Sequence, residues 1–337
     1  MELNKPKTKK STRIIYSLVI LVFVVGLLAY YYSLPRNYNQ VYGVTFDSEY
    51  AKYLCLNPQV VYNKILTDWG FRYTRLSVNW NAVEKQKGEF DFTELDWLMD
   101  KSVEHNAKVI LVIGQKTLRW PECHLPDWAM EENNESYRLQ LKKYMATVVD
   151  RYKNNSALEI WQVENEPFLA FGKCPAYNAD YLKEEVEMVK SLDKNHKILI
   201  TDSGELSTWQ KTARVGNFFG TTLYRVVWHQ HLGYFNYDWI PASFYKFKLL
   251  LTGRNIEDSF VVELQAEPWI PDKSINDYDL TDQLKSMSPK RFRDNVDYAQ
   301  RVGFSRAYLW GAEWWFWLAK EKGIFFYDNM VKSLNKN

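Results

Sequence analysis

"ALEIWQVENEPF", residues 157–168, is the stretch on which the fold turns. Leu158, Ile160, Trp161 and Val163 give it the apolar make-up of a buried strand, yet Glu159, Glu164, Asn165 and Glu166 interrupt or close it. Pro167 stops the strand because it has no amide donor. Side chains alternate along a strand, so Glu164 and Glu166 are expected on one side at its end, and Glu159 near its start.

Seven further runs read as strands, at 41–46, 71–79, 107–114, 197–202, 221–228, 259–264 and 306–310. Helical patterns lie between them. The clearest is "ESYRLQLKKYMATVVDRYK" (135–153), whose Tyr137, Leu141, Tyr144, Val148 and Tyr152 fall on one helix face. Strand and helix alternating eight times over roughly 290 residues predict an α/β fold, a (β/α)8 TIM barrel. The competing open, doubly wound sheet lacks support, since no GxGxxG or phosphate loop follows an early strand.

Ahead of the barrel lies a different kind of segment. Residues 1–13 hold four Lys and one Arg against one Glu, and Ile14 to Ser33 then runs without a charge. About 20 apolar residues span a bilayer, whereas a cleavable signal has a shorter apolar core and a small-residue cleavage site. Tyr30, Tyr31 and Tyr32 close the segment as an aromatic belt. The expected layout is a cytoplasmic tail (1–13), a transmembrane signal anchor in the lipid bilayer (14–33), a linker (34–40) and an outward-facing barrel (41–337). The tail holds five of the 43 basic and one of the 41 acidic residues, which leaves 38 against 40 outside, a charge of −2. A surface so balanced has no footprint for nucleic acid.

Of 337 residues 46% are hydrophobic, enough for a large core, and 16% are aromatic, including 14 Trp and 23 Tyr. Such rings hold sugars, but they also fill cores. Cys123 and Cys174 both lie in Pro- and Trp-bearing loops that an outward-facing domain allows to be bridged, and they are expected to pair, with Cys55 a buried free thiol. No Cys/His spacing suggests zinc, and "HQH" (229–231) lacks a third ligand, so neither metal nor cofactor is expected.

In a TIM barrel the site lies at the C-terminal ends of the strands. That filter demotes Glu159 and keeps Asn165, Glu166 and, from "FVVELQAEPW" (260–269), Glu263 and Glu267. Two glutamates on different strands at one mouth suit glycoside hydrolysis, one as acid on the leaving oxygen, the other as carboxylate facing the anomeric carbon. "LWGAEWWFW" (309–317) adds Trp310, Trp314, Trp315 and Glu313, suited to stacking and hydroxyl recognition. Trp80, Trp120, Trp128 and Trp269 lie in or near loops on the same face.

These residues also resemble a family. "NEP" ending the fourth strand, a Glu ending the seventh and "LWG" ending the eighth are similar to clan A glycoside hydrolases, the retaining barrels that include cellulase-like family five. So is the second unit, where Arg75 and Trp80 precede "GEFDFTELD" (88–96). The resemblance spans about residues 40–320. It implies Glu166 as acid/base, Asn165 on the sugar 2-hydroxyl, and Glu263 as nucleophile beside Arg75, with Glu267 the alternative. It further implies Tyr224 on the nucleophile, Trp310 under the sugar, and a β-linked oligo- or polysaccharide substrate. Transglycosylation by the same clan, and a barrel that only binds carbohydrate at the cell surface, are the competing functions; a fold alone does not decide between them.

Overall fold

The computed structural model of the chain describes residues 8–33, 39–270 and 275–334. Eight parallel strands close into a barrel: β1 Val41–Phe46, β2 Tyr73–Ser77, β3 Lys108–Ile113, β4 Leu158–Val163, β5 Lys197–Asp202, β6 Phe218–Leu223, β7 Ser259–Gln265 and β8 Arg306–Trp310. Each pairs with its neighbour in chain order, and β8 returns to β1. In such a ring β4 stands opposite β8.

Alternation along these strands builds two cores. Ile110, Ile160, Leu199, Phe260, Val262 and Tyr308 fill the barrel interior as an apolar plug. Their chain neighbours Val109, Leu111, Trp161, Ile198, Ile200 and Val261 pack outward under the helices. Complete burial of one such side chain contributes about 1.5–3 kcal/mol. The helix Asn134–Tyr152 buries the expected face, Tyr137, Leu141, Tyr144, Val148 and Tyr152. At the far end from the mouth Glu159 pairs with Arg306 through both oxygens, at 2.6 and 2.8 Å, the structural role expected of it.

The sixth strand departs from the expected 221–228. It begins at Phe218, and Val226–His229 instead forms an antiparallel hairpin with Gly233–Asn236 outside the barrel. Gly220 hides the true start in the sequence. A Cβ there would come within 2.6 Å of Val262 Cγ1, so the packing demands a residue that strand propensity disfavours.

Cys123 and Cys174 are bridged, with Cα atoms 5.2 Å apart, whereas Cys55 is exposed rather than buried. A helix runs over Thr8–Ser33. Among the described residues no helix is long and apolar enough to cross a membrane. Residues 1–7 of the expected tail and 34–38 of the expected linker lie outside the described residues.

Candidate active site

Strand β4 stops at Val163, and the chain leaves it through left-handed backbone at Glu164 (φ 60°) and Glu166 (φ 44°). Each such residue costs on the order of 1–3 kcal/mol and persists only where its surroundings hold it. Here three hydrogen bonds do so: Glu164 N to Ile113 O (2.8 Å), Asn165 N to Lys116 O (2.8 Å) and Glu166 N to Thr201 Oγ1 (2.9 Å). Strand alternation therefore ends one residue too early to put Glu164 and Glu166 on one side. Glu164 turns instead to the loop after β3, accepting from the amides of Gln115 and Lys116, both at 2.7 Å. Gly114 (φ 130°) makes room for it, since a Cβ there would meet Glu164 Oε1 at 2.3 Å. Glu164 is thus a clasp on the β3 loop.

Arg75, fully buried on β2, is the hub of the floor. Its Nε donates to Gln162 Oε1 (2.8 Å), Nη1 to Glu263 Oε1 (3.0 Å) and Nη2 to Asn165 Oδ1 (2.7 Å). Asn165 Oδ1 also accepts from Gln162 Nε2 and Thr201 Oγ1, each at 3.1 Å, so its NH2 is the end left for a ligand hydroxyl.

A bulge brings Glu263 inward. Phe260 and Val262 already face the interior, so strict alternation would turn Glu263 out to the helices. The register of β7 slips against both neighbours, between Thr221 and Thr222 on β6 and between Ala307 and Leu309 on β8. The extra residue re-aims the carboxylate, as bulges beside functional sites do. Because β6 ends at Leu223, Tyr224 stands just past the strand and its hydroxyl donates to Glu263 Oε2 at 2.9 Å.

Glu166 is 7% exposed and accepts from Thr222 Oγ1 at 3.0 Å. Burial, then the charges of Glu263 and Glu122, push its pKa well above the usual carboxylate range. Glu122, buried on the β3 loop, is pushed up to about 8, mainly by burial.

Opposite this group, the wall beyond β7, β8 and β1 is held by Arg119. Its Nη1 donates to Glu267 Oε1 and its Nη2 to Glu313 Oε2 (2.8 Å). The guanidinium lies between the rings of Tyr50 and Trp310, 3.9 and 4.2 Å from their centroids. Trp310 Nε1 donates to Glu267 Oε1 (2.8 Å), and Glu313 Oε1 accepts from Asp47 N (2.7 Å). Burial raises Glu313 to about 7.

The remaining expected residues separate by position. Trp80 is 1% exposed, stacked on Tyr144 at 5.4 Å and bonded to Glu84 at 2.6 Å, so it belongs to the core rather than the mouth. Trp314 and Trp315 are likewise buried. Trp269 is at the rim, edge-on to Tyr224 at 5.4 Å and 6.0 Å from Phe171, which in turn meets Trp120 at 5.8 Å. Sequence reasoning missed Phe171, Arg119 and Glu122. All three sit in the two loops joined by the Cys123–Cys174 bridge, and the paired cysteines were the available signal. Among the described residues no group of three or more His, Cys, Asp or Glu could hold a metal ion.

The sequence model of glycosyl hydrolase family 10 matches residues 38–233, a span that contains Arg75, Asn165 and Glu166 but ends before Glu263 and Glu267. Over 163 residues the chain is 24% identical to mannan endo-1,4-beta-mannosidase A of Hypocrea jecorina, covering 42% of this chain and 36% of that protein. Over 133 residues it is 28% identical to endo-1,4-beta-xylanase 2 of Claviceps purpurea, covering 37% and 39%. The matches thus span well under half of these relatives. Among solved structures, an endoxylanase of family 10 from a sugarcane soil metagenome superposes with a TM-score of 0.55 at 14% identity, over 81% of this chain and 86% of that one.

Proposed function

Since the chain belongs to glycosyl hydrolase family 10, whose model covers more than half of it, we propose that it is a retaining glycoside hydrolase acting on a β-linked glycan. A xylan- or mannan-like chain is the preferred substrate class, by analogy with the names of its relatives. The observation that carries the reading is the Arg75 hub, which ties Asn165 and Glu263 together beside a buried Glu166.

In the first step Glu166, protonated, gives its proton to the glycosidic oxygen as the C1–O bond breaks, and Glu263 Oε attacks C1 from the opposite face. The product is a glycosyl ester of Glu263 and a free alcohol. In the second step water attacks C1, Glu166 takes the water proton, and the ester bond to Glu263 breaks. Arg75 and Tyr224 hold one oxygen each of Glu263, which fixes its approach. Asn165 presents its amide to the 2-hydroxyl. The test is the configuration of the first product released from aryl β-glycosides, followed by proton NMR. The β anomer is expected; the α anomer contradicts the assignment.

The membrane anchor belongs to the same proposal. Ile14 to Ser33 carries no charge, and in the helix Thr8–Ser33 the described apolar side chains from Ile14 to Leu28 are exposed. The basic residues ahead of it favour a cytoplasmic N-terminus and an outward barrel. Deleting residues 1–33 is expected to move the protein from the membrane fraction to the soluble one with its kcat unchanged; continued sedimentation with membranes contradicts the anchor.

A further inference from the structure

We infer that the Arg119 wall closes the glycone side of the cleft, so that the site takes the non-reducing end of a β-linked chain and not its interior. The inference rests on the catalytic assignment above. The acid stands over the bond to the leaving group, so the glycone extends away from Glu166. Glu166 follows β4, and β4 stands opposite β8, so the glycone points toward the ends of β7, β8 and β1.

That direction is filled. Arg119 reaches across from the β3 loop and meets Glu267 after β7, Glu313 after β8, and the rings of Tyr50 and Trp310. Arg119 and Glu267 are each 7% exposed and Glu313 is fully buried, so among the described residues these side chains pack against one another across this end of the site. The wall's placement is over-determined. Arg119 has left-handed backbone (φ 71°), and its loop is closed by Thr117 N to Glu122 O (2.8 Å), by the Glu164 clasp and by the Cys123–Cys174 bridge. The platform that Trp310 offers is covered by the guanidinium.

Two polar atoms of the wall, Arg119 Nε and Glu267 Oε2, are buried with no protein partner among the described residues. Buried polar atoms left unpaired are rare in native proteins. One is a donor and one an acceptor, and a sugar hydroxyl serves both roles. A terminal sugar whose hydroxyl reaches these two atoms satisfies both, whereas the wall leaves an internal sugar no room for the next residue. The remainder of the chain then lies on the leaving-group side, over the rim of Trp269, Phe171 and Trp120.

Binding tests the wall separately from turnover. The Glu166→Gln variant is titrated with β-1,4-xylohexaose and β-1,4-mannohexaose, each free and with a benzyl ether on its non-reducing terminal sugar. At least a tenfold loss of affinity on blocking the bound hexaose is expected; equal affinity overturns the proposal. With the wild-type enzyme and hexaoses reduced at the other end, early products are expected to come from the non-reducing terminus alone. In Arg119→Ala internal cuts are expected to appear. Internal cuts by the wild type from the outset overturn the wall while leaving the catalytic pair standing, and an unchanged product pattern in a folded Arg119→Ala overturns it as well. Failure of aryl glycosides to turn over contradicts the catalytic assignment instead.

Discussion

The guanidinium of Arg75 and the carboxylate of Glu263 meet at 3.0 Å, with neither side chain more than 5% exposed. Removing one partner of such a pair leaves an uncompensated buried charge, at a cost of about 3–5 kcal/mol. Arg75→Ala is therefore expected to lower stability by about that amount in denaturant titration and to abolish measurable turnover. Arg75→Lys keeps the charge but not the three-way fork, so it recovers part of the stability and little of the activity.

Tyr224 tests the orientation of the nucleophile by itself. A hydrogen bond to a charged group contributes about 1.5–3 kcal/mol, which is about 10- to 100-fold in rate. Tyr224→Phe is expected to reduce kcat/KM by that factor with the melting temperature almost unchanged. A loss that comes entirely from a higher KM, with kcat unchanged, points to sugar binding instead.

The pH dependence follows from Glu166. Its pKa is raised, and in the proposed mechanism it must carry its proton, so activity is expected below that pKa and is expected to fall as pH rises through it. Glu166→Gln is expected to remove this alkaline limb on aryl glycosides with good leaving groups. The charge of Glu122 helps raise Glu166, so Glu122→Gln moves the limb toward lower pH. Burial of Glu122 and Glu313, raised to about 8 and about 7, also bears on stability. Each binds more protons folded than unfolded, so its contribution is present below about 4.5 and is lost as pH climbs to those values. Thermal melts between pH 5 and 8 in Glu313→Gln against wild type measure it: the wild type loses stability faster with rising pH.

The Cys123–Cys174 bridge closes a sequence separation of 51 residues. Loop entropy of that length stabilises by about 4 kcal/mol. Replacing both cysteines with serine is expected to lower the melting temperature by several degrees and to reduce activity further than stability explains, because the bridged loops carry Arg119, Glu122 and Phe171.

What could be read in the sequence was set by periodicity and by strand ends. Glu166 and Glu263 stand out as candidates because each closes an apolar run, and seven strands are legible because their runs are dominated by apolar and β-branched residues. Strand β6 begins earlier than its apolar run suggests because Gly220 interrupts its propensity. Alternation misassigned Glu164, because the strand ends at Val163 and the chain turns left-handed at Glu164 itself. The bulge that turns Glu263 inward leaves no trace in composition. Trp80 was drawn to the mouth by its motif, yet it packs against Tyr144 in the core. Arg119 was invisible because its partners, Glu267 and Glu313, are 148 and 194 residues away and lie beyond the ends of other strands.

Glu263 as the nucleophile is the central claim, with Glu267 as wall. Incubation of the enzyme with 2-deoxy-2-fluoro β-glycosides that carry a good leaving group, followed by digestion and mass spectrometry, reads it directly. A stoichiometric fluoroglycosyl adduct on Glu263 is the predicted result, absent in Glu263→Gln. An adduct on Glu267, or steady turnover with no adduct on either residue, contradicts it.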